Sequence, residues 1–175
     1  TQSFEKISEF DGNLVAINFA PNNDILVAGT WEGELIYINT KTWELIERIE
    51  SSQAWISGVS FSPKKNDFRF ASTSGDQTVK IWDLETRENL KTFKGHKHEV
   101  WCVDYSPDGE YLVTGAKDDE ILIWENKLKS DETNELNIPG NPNTWSSQIS
   151  SDRIGVLLPF RDKFEVYNLE DFSLE

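Results

Sequence analysis

The sequence predicts an all-β protein built from repeated units, and two observations carry this prediction. Short runs rich in β-branched and aromatic residues alternate with clusters of turn residues along the 175-residue chain, and no segment keeps a helical period. A triplet that closes an apolar run also recurs, as Phe19-Ala20-Pro21, Phe61-Ser62-Pro63 and Tyr105-Ser106-Pro107, at spacings of 42 and 44 residues. Regular spacing of this length indicates a chain made of structural repeats.

The repeat divides the chain into four units. A weaker copy of the triplet, beginning at Ile149, follows 44 residues after Tyr105. A period of roughly 40–45 residues is typical of one four-stranded blade of a β-propeller. We therefore predict an all-β propeller with four four-stranded blades, divided as follows: 11–50, blade 1; 51–94, blade 2; 95–138, blade 3; 139–175, an incomplete blade 4; and 1–10, the outermost strand of a neighbouring blade.

Within each unit the apolar runs predict the individual strands. In chain order the predicted strands are Leu14–Phe19, Ile25–Thr30, Glu34–Ile38 and Glu44–Ile49; Trp55–Phe61, Phe68–Thr73, Thr78–Trp82 and Leu90–Phe93; Val100–Tyr105, Tyr111–Ala116, Glu120–Trp124 and Leu136–Ile138; Trp145–Ile149, Ile154–Phe160, Phe164–Tyr167 and a last one from Phe172. Phe4–Phe10 is predicted as one more strand before the first unit. The chain is thus offset by one strand from the blade boundaries.

Units 2 and 3 carry a recognisable signature. Unit 2 contains Gly75-Asp76-Gln77-Thr78-Val79-Lys80-Ile81-Trp82-Asp83, which ends in a Trp-Asp pair. Unit 3 begins with Gly95-His96, continues through Ser106-Pro107-Asp108-Gly109, and runs from Asp118 to Trp124-Glu125. In these positions the chain resembles the WD-repeat family of β-propellers, and the resemblance extends over nearly its whole length. Units 1 and 4 end in Ile38-Asn39 and Tyr167-Asn168, lack the Gly-His pair, and are assigned from their period.

The resemblance implies a chain of structural hydrogen bonds in the signature units. In unit 3 its members would be His96, Thr114, Asp118 and Trp124. An indole can only donate, a hydroxyl and a neutral imidazole can both donate and accept, and a carboxylate accepts, so every member would find a partner. Unit 2 has the matching residues Ser72, Asp76 and Trp82, with Ser52 in the place of the histidine.

A catalytic interpretation of these residues is weaker than the structural one. His96 and Asp118 could be two members of a catalytic triad, but no activated nucleophile sits at the matching spacing. With two histidines and one cysteine, no ligand cluster for a transition metal is evident. We therefore expect no catalytic residue, no metal site and no cofactor, and predict that the protein is not an enzyme.

The resemblance also implies where partners bind. The family's usual contact positions flank the first residue of each innermost strand and precede the turn aspartate. Here they hold a tryptophan in every unit. The residues predicted to bind a partner are Trp31, Trp55, Ser57, Glu99, Trp101, Lys117 and Trp145; further contact positions are Asn13, Val15, Gly75, Asn143 and either Phe160 or Arg161. Tryptophan is enriched at binding hot spots. The alternative is that these rings fill the central channel or pack between blades.

Charge and composition limit the partners. The 31 acidic and 17 basic residues give a formal net charge of −14, which repels phosphate backbones and argues against nucleic acid. Carboxylates beside aromatic rings suit a basic peptide. No apolar stretch approaches the roughly 18 residues of a membrane span. The single cysteine, Cys102, fits a reducing compartment, so we expect an intracellular protein, cytoplasmic or nuclear.

These observations favour a protein-binding scaffold or adaptor. The alternative is a sensor or gating propeller within a larger enzyme or signalling ATPase, and a metal-dependent hydrolase is remote, because the inner strands offer little beyond Asn18 and Asp104. Rings of the family usually close with seven or eight blades. Since the chain has no methionine and four units, we expect an arc of a larger ring, completed by another chain or by a segment missing from this one.

Overall fold

A computed structural model of the chain describes residues 9–21 and 24–127 with their side chains, together with the backbone of four later strands. The strands, in chain order, are β1 Leu14–Phe19, β2 Ile25–Thr30, β3 Glu34–Asn39, β4 Leu45–Glu50, β5 Ile56–Phe61, β6 Arg69–Ser74, β7 Thr78–Asp83, β8 Asn89–Lys94, β9 Val100–Tyr105, β10 Tyr111–Ala116, β11 Glu120–Glu125, β12 Leu136–Pro139, β13 Ser146–Ile149, β14 Arg153–Leu158 and β15 Lys163–Asn168. The part that the structure describes contains no helix, and so none that could cross a membrane.

The strands form four antiparallel sheets, each taken from consecutive strands. Sheets 1, 2 and 3 have the orders β1-β2-β3-β4, β5-β6-β7-β8 and β9-β10-β11-β12, and sheet 4 contains β13-β14-β15. The all-β propeller prediction is confirmed. β1, β2, β9 and β10 match their predicted bounds, and the others lie within two residues of them. The predicted strand from Phe172 lies outside the described residues; of Phe4–Phe10 only Glu9 and Phe10 are described, outside any strand.

The sheets pack face to face, with their first strands adjacent: β1 contacts β5, β5 contacts β9, and β9 contacts β13. Successive side chains of a strand point to opposite faces, and sheet 2 uses both. Phe70 and Trp82 belong to the core that it shares with sheet 1, whereas Val79 and Ile81 belong to the core that it shares with sheet 3. Middle strands therefore consist of nearly continuous apolar runs, such as Leu35–Ile38, which is at most 3% exposed.

Polar side chains link the first strands of neighbouring sheets. The Asn18 amide donates to the carbonyl of Val59, 3.1 Å away. The hydroxyl of Ser60 donates to the Asp104 carboxylate over 2.9 Å. Each first strand is the edge of its sheet, so these bonds satisfy partly buried polar groups there and help to fix how adjacent sheets align.

Sheet 3 contains a buried chain of hydrogen bonds. The indole Nε1–H of Trp124 donates to Thr114 Oγ1 over 2.8 Å, and the same oxygen lies 2.8 Å from His96 Nε2. His96 Nδ1 lies 3.0 Å from Asp118 Oδ2, which also accepts the backbone N–H of Lys97 at 2.6 Å. Since the carboxylate can only accept, Nδ1 carries the proton. One threonine hydroxyl thus joins a core tryptophan to the histidine–aspartate pair at the end of the sheet.

The corresponding arrangement changes from sheet to sheet. In sheet 2 the indole of Trp82 donates to Ser72 Oγ over 2.9 Å. In sheet 1 the register places Ile38 and Ala28 at the tryptophan and hydroxyl positions, and both pack in an apolar cluster with Phe10 and Trp43. Where the indole is absent its acceptor is absent too, so the buried face has no unsatisfied polar group at this position.

The turn aspartates of sheets 2 and 3 are held ionised. Burial alone would raise the pKa of Asp118, but the Lys97 N–H, the His96 imidazole and the Glu120 N–H outweigh it and lower that pKa. Burial likewise opposes the hydrogen bonds from Thr78 and Gln53 that lower the pKa of Asp76. Each carboxylate accepts hydrogen bonds from backbone N–H groups of its turn, and these bonds favour its charged form.

Within residues 24–127, Ser72 accepts from Trp82 alone, whereas Thr114 also bonds His96. Thr114→Val strands an indole N–H and breaks the link to the histidine, whereas Ser72→Ala strands one indole N–H. We therefore expect Thr114→Val to lower the free energy of unfolding by about 1–3 kcal/mol more than Ser72→Ala does. Urea denaturation of both variants measures the difference, and equal losses would contradict the linking role of Thr114.

Acid should weaken sheet 3 through Asp118. A carboxyl whose pKa is lowered by folding stabilises the native state fully above its unfolded pKa, near 4, and this contribution is lost as the pH falls through the lower folded value. Asp118→Asn removes that titration. The urea midpoint of the wild type should therefore fall more steeply than that of the variant below about pH 4. Parallel curves for the two proteins would show that Asp118 is not coupled to folding.

Candidate functional site

One backbone hydrogen bond recurs at the same end of three sheets and defines the candidate site. Trp31 N–H donates to Asn13 O over 2.8 Å in sheet 1; Gly75 N–H to Trp55 O over 3.0 Å in sheet 2; and Lys117 N–H to Glu99 O over 3.0 Å in sheet 3. The residue before each first strand is thus held against the residue after each second strand. The three pairs are equivalent, although their side chains differ entirely.

A β-bulge lies beside each of these pairs. The register between the first and second strands shifts between Leu14 and Ala16 in sheet 1 and between Ile56 and Gly58 in sheet 2, and at the matching place in sheet 3. The extra residues are Val15, Ser57 and Trp101. A bulge leaves one residue unpaired and re-aims its side chain. The side chains at these three positions therefore do not follow the alternation of the residues after them in the strand.

Two of the predicted tryptophans stack on each other across the junction of sheets 1 and 2. The ring centroids of Trp31 and Trp55 are 4.9 Å apart and their planes differ by 12°. The ring of Trp55 also lies against Gly75, where an added Cβ would come within 2.7–2.8 Å of the ring. Trp55 is half-buried, whereas Trp31 is 58% exposed. Sequence reasoning predicted both residues but not the stack, because the two rings come from different sheets.

An ion pair occupies the equivalent position in sheet 3. Lys117 Nζ lies 3.4 Å from Glu99 Oε2, with the two side chains 50% and 27% exposed. A hydrogen bond from its own backbone N–H, together with Lys117, lowers the pKa of Glu99 despite partial desolvation. At this exposure the pair contributes little to stability, and half of the Lys117 side chain is exposed at this end of the sheet.

The remaining predicted site residues divide into three groups. Ser57 is used between sheets: its hydroxyl donates to the Val100 carbonyl over 2.5 Å and lies 3.0 Å from Thr73 Oγ1. Trp101 is half-buried beside the bulge of sheet 3. Trp145, together with Asn143, Phe160 and Arg161, lies outside the described residues. The binding role of all of them stays a prediction.

Two further features were missed from the sequence. The Asn13 amide donates to Glu32 Oε1 over 2.7 Å, which ties a carboxylate to the Trp31 turn. An open polar cleft of about 700 Å³ lies beside Ser52, at the position that corresponds to the histidine of sheet 3. Its lining carries both signs of charge, from Asp76 and Lys80 among others. The sequence signal for the cleft is the serine in place of a bulkier histidine.

The hydrogen-bonded histidine has the connectivity of a catalytic triad but not the access. Asp118, His96 and Thr114 are joined in series, with the Thr114 hydroxyl 2.8 Å from His96 Nε2. However, the Thr114 residue is 0% exposed and its oxygen already accepts from Trp124. A substrate cannot reach it. Among residues 9–21 and 24–127, no cluster of histidine, cysteine and acidic side chains could hold a metal ion.

Comparison with known proteins identifies a matching family model and several similar proteins. The model of the family described as WD domain, G-beta repeat matches residues 43–83 and 87–125. Each match joins the fourth strand of one sheet to the first three strands of the next. The sequence repeat is therefore shifted by one strand from the sheets.

Relatives extend the likeness beyond those two segments. The small ribosomal subunit protein RACK1 of Caenorhabditis elegans is 30% identical over 118 residues, which cover 67% of this chain and 35% of the relative. The Set1 complex component swd2 of Schizosaccharomyces pombe is 25% identical over 173 residues, 96% of this chain and 46% of the relative. Coatomer subunit beta'-2 of Arabidopsis thaliana is 36% identical over 92 residues, 51% of this chain and 10% of the relative.

The chain thus spans less than half the length of each of these three relatives. Each of the two matched segments nevertheless contains a buried indole-to-hydroxyl hydrogen bond, and the first ends in the Trp82-Asp83 pair. Residues 43–83 and 87–125 are WD40 repeats, and through them the chain belongs to the WD-repeat family.

Proposed function

We propose that the protein is a scaffold or adaptor that binds partner proteins or peptides at the end of the sheets where the three equivalent pairs lie. The relatives' names describe components of assemblies: a ribosomal subunit protein, a Set1 complex component and a coatomer subunit. A binding role needs no reactive group, which agrees with the burial of His96 and Thr114.

The exposure of Trp31 is the observation that carries this proposal. The structural tryptophans Trp82 and Trp124 are 5% and 2% exposed, but Trp31 is 58% exposed and stacked in a fixed position. An indole offers a large contact area at low entropic cost, and such rings dominate binding hot spots. An exposed, ordered tryptophan at the end of a sheet is best explained by a partner that covers it.

The proposed partner carries basic side chains. The chain has a formal net charge of −14, and carboxylates of Glu32 and Glu99 flank the candidate positions. This field attracts cationic segments and repels nucleic acid and anionic membrane surfaces. We propose an intracellular location, cytoplasmic or nuclear, which agrees with the free, buried Cys102 and with relatives such as a probable cytosolic iron-sulfur protein assembly protein of Kluyveromyces lactis.

A second surface supports completion of the ring by a further blade from another chain or segment. Ile17 and Phe19 on β1 are 60% and 57% exposed. Their equivalents on β5, Val59 and Phe61, are 8% and 9% exposed, because sheet 1 covers them. The open face of β1 therefore carries the side chains that elsewhere pack against a preceding sheet, and we propose that a sheet of the same kind covers it.

Replacing a hot-spot tryptophan should weaken partner binding. Trp101→Ala and Trp31→Ala are each expected to cost about 2 kcal/mol or more, which is about a 30-fold rise in Kd. The matched control is Tyr111→Ala, because Tyr111 is an exposed aromatic at the start of β10, the opposite end of the sheet. Proteins captured from cell extract by the wild type are identified, and their Kd values for the four proteins are compared by calorimetry. Unchanged affinity in both tryptophan variants would rule out this end as the binding surface.

The open face of β1 should cause self-association of the isolated chain. The double change Ile17→Ser and Phe19→Ser removes apolar surface without touching a buried contact, so it should abolish association and leave the urea midpoint nearly unchanged. The control is Leu45→Ser with Ile46→Ser, on the exposed side chains of β4. Light scattering over about a hundredfold range of concentration gives the mass. A wild-type chain that stays monomeric throughout would contradict the prediction.

A further inference from the structure

The Trp31–Trp55 stack leaves much of Trp31 exposed. The ring of Trp55 lies against the backbone of Gly75 and is stacked on Trp31. Trp55 is half-buried, whereas Trp31 remains 58% exposed. The exposed member of the stack is therefore Trp31.

The stack is fixed from both sides. The backbone of Trp31 is bonded to Asn13 at 2.8 Å, and Trp55 is bonded through its carbonyl to Gly75 at 3.0 Å. Any side chain at position 75 would displace the ring of Trp55. A ligand that stacks on Trp31 therefore meets a surface that is already ordered, and little conformational entropy is lost on binding.

A carboxylate is anchored in the same turn as Trp31. Glu32 follows Trp31 in the same turn, and its Oε1 accepts from the amide of Asn13, whose carbonyl also accepts the Trp31 N–H. That hydrogen bond lowers the pKa of Glu32, so the group is ionised at neutral pH. The backbone of Trp31 and the carboxylate of Glu32 are therefore both bonded to one asparagine.

This geometry distinguishes between basic side chains. Quaternary and other ammonium groups are recognised best by several rings that surround them. A guanidinium is planar, stacks on a single ring, and donates in its own plane to a carboxylate. In this pair Trp31 is the exposed ring, since Trp55 is half-buried and stacked on it. We propose that Trp31, supported by Trp55 and Gly75, binds an arginine side chain of a partner, with Glu32 as its carboxylate.

The proposal rests on the proposed function, since it names the side chain that the aromatic end of the sheets recognises. Lysine, and uncharged planar groups that stack without charge, are the competing ligands. The three can be separated with probes of nearly equal size: the N-acetyl amides of arginine, lysine and citrulline. Citrulline keeps the planar shape of arginine and lacks its charge.

The test follows the indole N–H resonances of the ¹⁵N-labelled 175-residue chain during titration with each probe. The Trp31 signal is assigned from Trp31→Phe and the Trp55 signal from Trp55→Phe. We expect saturable shifts of both signals with the arginine probe, about fivefold or more weaker binding of the lysine probe, and none with citrulline. Glu32→Gln should weaken arginine binding, while Glu85→Gln, a change of an exposed carboxylate in the turn after β7, should not.

Each other outcome overturns the inference. Equal affinity for arginine and lysine would make the site a general cation site, and binding of citrulline would make it a stacking site without charge selection. Failure of all three probes would remove ligand recognition from Trp31. These results leave the proposed function intact if partner binding still depends on Trp101. The proposed function fails separately, if captured partners bind Trp31→Ala and Trp101→Ala as tightly as the wild type.

Discussion

Each sheet of this fold needs a neighbour, because both of its faces are apolar. β7 shows the constraint most directly: Trp82 is buried against sheet 1, while Val79 and Ile81 are buried against sheet 3. A strand with alternating polar residues could leave one face in water, but this one cannot. The hydrophobic effect therefore acts between sheets more than within them, and the stacking of sheets along the arc follows from it. Sheet 1 shows the same constraint, because the apolar side chains of Ile17 and Phe19 on its first strand are exposed.

Apolar packing alone would let adjacent sheets slide, and polar contacts limit this. Asn18, Ser57 and Ser60 each form a hydrogen bond to the first strand of a neighbouring sheet. These bonds therefore align the sheets along their first strands. The tryptophan bond acts within a sheet instead. The indole adds area to the core and also contributes one N–H that must be satisfied, so a hydroxyl accompanies it in sheets 2 and 3. In sheet 1 isoleucine and alanine replace both groups together.

The strands could be predicted closely from the sequence, because a buried strand has to be apolar and a turn has to be permissive. Both requirements are local, and the first is visible at Ile25–Thr30, a buried strand that matches its predicted bounds. The hydrogen-bonded residues of sheet 3 were predictable for a different reason, since the family pattern specifies them. What the sequence could not predict is contact between units. The stacking of Trp31 on Trp55 and the use of Ser57 to bond Val100 depend on how one sheet meets the next. A periodic sequence pattern does not specify how closely two neighbouring sheets approach each other.

The candidate site combines a constant backbone with variable side chains. The same N–H to carbonyl bond holds Asn13 to Trp31, Trp55 to Gly75 and Glu99 to Lys117, and a bulge follows each pair. Because the backbone supplies the geometry, the side chains at these positions carry no structural duty that all three sheets share. The pairs are accordingly asparagine with tryptophan, tryptophan with glycine, and glutamate with lysine. Glycine in one sheet makes room for the tryptophan stack, and that stack draws its second ring from the adjacent sheet. Under the proposed function, a partner that binds Trp31 would meet a ring whose position depends on two neighbouring sheets and not on a single repeat.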